Sequence, residues 1–204
     1  MTQTAVQRFY RYHALVYDST RWMILHGRRR AVAKLRLQPG SQVLEVGCGT
    51  GLNFSYILDR LDARTGHLIG LDFSADMLQR AQRRVTVRNW SNVSLIQADA
   101  GTLALDQRYD GIIFGYSLTM IPDWAAALER AYDHLKIGGR LVVLDFGQFR
   151  GWGPFGGLMR GWLRLNHVET LQSYERKMRA IFGEVDFQNW LGGYNFTAVG
   201  RRSS

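Results

Sequence analysis

At 204 residues, 46% hydrophobic and 12% aromatic, the chain carries enough apolar material for one well-buried core and is short for two, so a single domain over residues 1–204 is expected. No run approaches the roughly 18 apolar residues of a membrane-spanning helix, and charged and aromatic residues stand where a signal peptide would be apolar, so a cytoplasmic location is expected. The single cysteine, Cys48, excludes an internal disulfide, and the scattered histidines have no metal-ligand spacing, so no metal is expected.

The formal charge of +9 and pI near 10.1 call for an anionic partner, either nucleic acid or an acidic membrane surface, or else mark a solvated basic face. Most of the excess is N-terminal: Arg8, Arg11, Arg21, Arg28, Arg29, Arg30, Lys34 and Arg36 stand against Asp18 alone, a net +7 over residues 1–36. The segment 1–38 is expected to be helical. It mixes these cations with Phe9, Tyr10, Tyr12, Tyr17, Trp22 and Met23, a composition suited to contact with a membrane.

From residue 41 to 147, short β-branched runs alternate with helical spacing, the pattern of a parallel sheet covered by helices. Strands are predicted at 42–46, 67–71, 93–97, 109–114 and 140–146. Helices are predicted at 52–60, 75–85 and 124–135, with Ser74 and Asp123 as N-caps, and Ile137-Gly138-Gly139 is expected to end the last of them. A basic, aromatic insertion at 148–168 contains Gly151, Gly153, Gly156, Gly157 and Gly161, which makes it a flexible lid candidate. A helix at 170–181 and strands at 184–188 and 194–199 complete an α/β, Rossmann-like seven-stranded sheet, mostly parallel with the last strand antiparallel and helices on both faces.

Glu45-Val46-Gly47-Cys48-Gly49-Thr50-Gly51 follows the first strand and opens a helix, the context in which a glycine-rich loop is informative. Gly47, Gly49 and Gly51 let the backbone turn tightly and approach a ligand. A dinucleotide fingerprint would put its third glycine one position later, where Leu52 stands. Glu45, Asp72 and Asp99, each at a strand end, would line the carboxyl edge of the sheet, where open α/β folds bind ligands. Three acids repel a pyrophosphate and attract a ligand with an ammonium and a sulfonium. The expected roles are ribose hydroxyls on Asp72, the adenine amino group on Asp99 with the backbone of Ala100, and the amino-acid end oriented by Glu45 through the loop backbone or water. Phe73 and Met77 would sandwich the adenine, the alternative being that both are core. Cys48 reads as a small inward-facing filler.

Residues 42–147 resemble the class I S-adenosylmethionine-dependent methyltransferases, through Val43 to Gly51, Gly70 to Met77, Gln97 to Ala100 and Leu135 to Gly139. Lys136-Ile137-Gly138-Gly139 departs mildly from that family's Lys-Pro-Gly-Gly. The resemblance implies S-adenosylmethionine as methyl donor and a methyltransferase activity.

The acceptor must be sought outside these motifs. Phe114-Gly115-Tyr116-Ser117 replaces the Asp/Asn-Pro-Pro-Tyr/Phe element of enzymes that methylate nucleic-acid amines, so a nucleic-acid partner is not expected. The insertion sets Trp152, Phe155, Leu158, Met159, Trp162 and Leu163 among Arg150, Arg160 and Arg164, as an interfacial surface would. Tyr17-Asp18-Ser19-Thr20-Arg21 with Gly27-Arg28, Ser117 to Trp124, and Asp145-Phe146-Gly147-Gln148 resemble bacterial lipid N-methyltransferases of the diacylglyceryl-homoserine (betaine-lipid) type, with phosphatidylethanolamine N-methyltransferases next. That resemblance implies repeated methylation of a lipid headgroup amine by a peripheral enzyme at an anionic membrane surface. The alternative is a small-molecule or quinone methyltransferase with a hydrophobic acceptor. Tyr17 and Tyr116 are expected to line the transfer channel, where aromatic faces favour a cation. His167 is a candidate proton acceptor, and Arg21, Arg28, Trp152, Trp162 and Tyr194 are candidate substrate or membrane contacts.

Overall fold

A computed structural model describes residues 26–203. Helix α1 (Arg28–Lys34) leads into strand β1 (Gln42–Val46), whose Val43, Leu44 and Val46 are buried because the strand has neighbours on both sides. β1 pairs in parallel with β2 (His67–Asp72) and with β4 (Tyr109–Gly115). Outside these lie β3 (Val93–Gln97), parallel to β2, and β5 (Leu135–Phe146), parallel to β4. Strand β7 (Asn195–Arg201) pairs antiparallel with both β5 and β6 (Val185–Trp190). The order is β3-β2-β1-β4-β5-β7-β6, seven strands with only β7 reversed, so the predicted fold class holds.

This order reverses direction between β1 and β4. The connections leaving their carboxyl ends diverge there and leave a crevice, which is where such sheets bind ligands. Side-chain alternation along β1 sends Val43 to one face and Leu44 to the other. Val43 packs in a cluster with Ala31 and Val32 of α1, Phe54 and Ile57 of α2 (Phe54–Leu58), and Ala81 and Val85 of α3 (Ala75–Val87). Leu44 packs with Ala127, Leu128 and Ala131 of α4 (Trp124–Asp133) and Met178 and Phe182 of α6 (Tyr174–Phe182). Ser74 and Asp123 cap α3 and α4 as predicted, accepting from Met77 N at 3.4 Å and Ala126 N at 3.3 Å.

One expectation fails for an identifiable reason. Ile137-Gly138-Gly139 does not follow a helix end as a turn; it lies inside β5, which begins at Leu135. Gly138, at φ 81°, forms an irregularity there, and the β4–β5 register shifts between Tyr109 and Gly111. Arg202 closes it from the neighbouring chain end, its carbonyl accepting from Gly138 N at 2.8 Å and its N–H donating to Gly139 O at 3.0 Å. The insertion, for which no helix was predicted, contains the twelve-residue helix α5 (Pro154–Leu165). Proline at its first turn is preset for a helix, and Met159 and Leu163, one turn apart, pack on Phe149 and Val168. Of the N-terminal segment expected to be helical, residues 1–25 lie outside the described residues.

Candidate active site

The glycine loop after β1 is held by hydrogen bonds that leave its rim open. Cys48 N donates to Leu71 O at 2.9 Å and Gly51 N to Cys48 O at 3.0 Å. Gly49 N donates to Asp72 Oδ2 at 2.8 Å, so the acid of β2 fixes the loop of β1. Gly47 and Gly49 adopt φ of 66° and 55°, which L side chains resist. At Gly47 a Cβ would stand 2.5 Å from that of Ser117; at Gly49 it would meet nothing within 4 Å. The first glycine serves close packing, the second an open face.

Asp72 Oδ1 also accepts from Ser74 N at 2.9 Å, so both of its oxygens are oriented by backbone donors. Asp99 ends β3 exposed, with Oδ1 accepting from Gly101 N at 2.8 Å, and Ala100 follows it, buried, in a short 3₁₀ turn. Met77 is 4% exposed beneath the start of α3, whereas Phe73 is 37% exposed at the sheet edge. Exposure on that scale removes the core reading for Phe73 and leaves its ring available to a ligand. Cys48 is buried, and burial together with the nearby Glu45 and Asp72 charges pushes its thiol up, so it is filler as expected.

Glu45, in the central strand, is 1% exposed. Its Oε1 accepts from Asn53 Nδ2 at 2.6 Å, and its Oε2 is buried with no hydrogen-bond partner among the described residues. Burial drives its carboxyl up to about 8, against the lowering effects of Arg28 and Asn53. An unmet carboxylate oxygen beside an open glycine loop fits a ligand that brings a cation, and it opposes a pyrophosphate.

Past β4 the chain turns sharply at Tyr116, which sits at φ 60° with its N–H donating to Leu144 O. Its ring is buried, not set in an open channel; its hydroxyl donates to His26 O at 2.7 Å and accepts from Asn195 Nδ2 at 3.0 Å. Ser117 packs on Gly47 while its Oγ donates to Val46 O at 2.7 Å, so the loop after β4 braces the donor loop. Tyr116 lies 5.0 Å from Phe146, and Phe146 lies 5.9 Å from Tyr194, which in turn stacks on Trp152. Phe146, Phe149, Trp152, Tyr194 and one face of α5, including Leu158 and Trp162, enclose an apolar groove of about 1020 Å³. Phe146 thus bridges the buried Tyr116 ring and the groove.

The predicted residues therefore separate. Glu45, Gly47, Gly49, Gly51, Asp72 and, at its rim, Phe73, Met77, Asp99 and Ala100 gather at the carboxyl ends of β1 to β3. Tyr194, Trp152 and Trp162 gather at the groove. His167 is not among the side chains lining the groove; at φ 61° it follows α5, its N–H donating to Arg164 O. Arg28, a candidate substrate or membrane contact, has its Nη1 turned inward, donating to Asn53 Oδ1 at 2.6 Å. Tyr17 and Arg21 lie outside the described residues. Sequence reasoning missed Asn53, a polar residue just after the glycine loop where helical spacing would bury something apolar. It also missed Asp145, fully buried at the end of β5, which accepts from Thr119 N and Oγ1 and braces the turn after β4.

Residues 37–189 match the model of a methyltransferase domain family. The chain belongs to this family of S-adenosylmethionine-dependent methyltransferases. The fold alone is shared with a methyltransferase from Aquifex aeolicus (TM-score 0.66, 17% identity, 98% of each chain) and with a possible histamine N-methyltransferase from Thermotoga maritima (TM-score 0.70, 18% identity, 97% of this chain and 99% of that one). Among curated relatives, demethylmenaquinone methyltransferases of Listeria monocytogenes and Staphylococcus carnosus are each 35% identical, over 128 and 122 residues. These matches cover 61% and 59% of this methyltransferase, which spans about half the length of either relative (54% and 49%). They overturn the expectation of a lipid headgroup N-methyltransferase: the relatives are named for a quinone, and Arg28 is engaged within the protein. Among the described residues, no helix is long and apolar enough to cross a membrane.

Proposed function

We propose that this methyltransferase transfers the methyl group of S-adenosylmethionine to a hydrophobic quinol-type acceptor whose apolar part occupies the groove between α5 and the Phe146–Tyr194 wall. The groove carries the hydrophobic character of the acceptor, and the names of the curated relatives its quinone class. Its lining starts at Phe146, whose ring packs 5.0 Å from that of Tyr116, and extends to the exposed side chains of α5, so it offers a long apolar molecule a continuous aromatic and aliphatic wall. The names of the curated relatives support the same acceptor class.

When bound, S-adenosylmethionine supplies a sulfonium-activated methyl group for in-line attack. Asp72 holds the ribose hydroxyls, Glu45 the ammonium, Asp99 and Ala100 the adenine edge, and Phe73 and Met77 its faces. The acceptor is an electron-rich ring, so the chain's task is to orient it and exclude water. Tyr194, pushed up to about 12 by burial, stays protonated and serves as an aromatic wall. Tyr116 is pushed higher still and holds the wall to the chain before α1.

Phe155, Leu158, Trp162 and Leu165 stand exposed on α5 near the exposed Arg150 and Arg164, a pattern that suits the surface of an anionic bilayer in which such an acceptor dissolves. The test is incubation with labelled S-adenosylmethionine and anionic vesicles carrying a long-tailed demethylated naphthoquinol, with mass analysis of the quinol. A single added methyl group supports the reading; an unmodified quinol in the presence of bound donor overturns it.

A further inference from the structure

We infer that Arg28 and Asn53 form a positioning relay for Glu45, through which helix α1, outside the family-matched segment 37–189, sets the orientation and charge of the acid in the donor site. The inference rests on the donor reading above and not on the identity of the acceptor.

The geometry leaves the relay one arrangement. Arg28 Nη1 donates to Asn53 Oδ1 at 2.6 Å, and Asn53 Nδ2 donates to Glu45 Oε1 at 2.6 Å. A guanidinium only donates, so the amide oxygen must face Arg28 and the amide nitrogen must face the carboxylate. Glu45 and Asn53 are each 1% exposed, so water does not compete for these contacts. β4 is shaped to admit the amide: a Cβ at Gly115 would stand 2.2 Å from Asn53 Nδ2. The free geometry of Oε2 then follows from Oε1, which is held.

The same arginine is fixed from the acceptor side. Its guanidinium carbon lies 5.3 Å from the Tyr116 ring centroid, and the Tyr116 hydroxyl donates to His26 O, just ahead of α1. The charged and titratable groups facing Glu45 are Arg28 from α1, Cys48 in the loop and Asp72 from β2. Burial and Asp72 keep the proton on Glu45, while Arg28 and the Asn53 amide oppose them. Arg28 therefore lowers the pH at which Glu45 ionises to meet the ligand's ammonium, without touching the ligand.

The probe is S-adenosylhomocysteine, which carries the donor's ammonium, titrated calorimetrically into the full chain between pH 6 and 9. Wild-type affinity rises with pH to a plateau above about 8. Arg28→Ala weakens binding about tenfold at pH 7 and moves the midpoint upward by about one pH unit. Arg28→Lys restores most of the midpoint, and Glu45→Gln flattens the profile. Thermal melts of each variant establish that it is folded. An Arg28→Ala midpoint equal to wild type, even with weaker binding, reduces Arg28 to a structural strut and overturns the relay. A pH dependence retained by Glu45→Gln overturns it as well. No binding by wild type at any pH sinks the donor site and the relay together, whereas the expected profile without transfer to a quinol supports the relay and defeats only the acceptor reading.

Discussion

The carboxyl ends of β1 to β3 and the segment from Phe146 to Val168, which we propose as the donor and acceptor halves of one site, are built on different physical terms. In the first, ligand contacts depend on backbone angles and strand-end carboxylates: Gly49 at φ 55° over open space, with Asp72 oriented by two backbone N–H groups. Few residue types meet those conditions, so a short string such as Glu45 to Gly51 reveals the chemistry. In the second, the ligand meets apolar surface, which many sequences provide equally well. A groove of Phe, Trp, Leu and Tyr accepts a lipid acyl chain or a quinone tail without a local mark of which.

Asp72→Ala attacks the first half hardest. It removes the acceptors proposed for the ribose hydroxyls and leaves Gly49 N and Ser74 N without this partner, so S-adenosylhomocysteine affinity falls by about 100-fold or more. Calorimetric titration measures it, and retained affinity would remove Asp72 from the site. This aspartate was legible because it ends a predicted strand, as were strands β1, β3 and the caps Ser74 and Asp123. Asn53 was not: its partners Arg28 and Glu45 are 25 and 8 positions away, and a polar residue at the start of a helix carries no sign of what it meets. Helix α5 was illegible because its glycines outweighed, by local propensity, the packing of Met159 and Leu163. The Gly138-Gly139 irregularity likewise depends on Arg202, more than sixty residues on.

Burial of carboxylates in the donor half also sets a pH dependence that the groove lacks. Glu45 ionises near 4.5 in the unfolded chain and near about 8 in the fold, so between those values the native state holds a proton the unfolded chain has released. Stability of the ligand-free protein therefore falls as pH rises through that window, by at most about 1.4 kcal/mol per pH unit. Asp145, raised by burial to about 6, acts with the same sign but only up to that pH. The decline between pH 6 and 8 belongs to Glu45, and in thermal melts it should vanish in Glu45→Gln and persist in Asp145→Asn. A flat wild-type profile would mean that the carboxyl is solvated after all.

In the acceptor half, Leu158→Ser combined with Trp162→Ser should raise KM for a long-tailed quinol about tenfold, through lost apolar contact. Affinity for S-adenosylhomocysteine and turnover of a tailless naphthoquinol should not change. Both side chains are more than half exposed, so stability moves by about 0.5 kcal/mol or less. Equal losses on long-tailed and tailless acceptors would show that α5 shapes the transfer site itself and not a tail groove.

The smallest effect probes how α1 is held between the halves. Arg30 stacks its guanidinium 4.2 Å above the Trp190 ring of β6, and Lys34 pairs with Asp186 of the same strand at 2.9 Å. Both contacts are partly solvated, so Arg30→Gln should cost only about 0.5 kcal/mol in denaturant melts. Arg28 is engaged elsewhere, on Asn53 and Tyr116, and these contacts do not involve Trp190. If the inner contacts alone fix Arg28, Arg30→Gln leaves both donor affinity and its pH midpoint at wild type. A midpoint displaced as in Arg28→Ala would place β6 within the same relay, because α1 would then owe its position to the far edge of the sheet as well as to the donor loop.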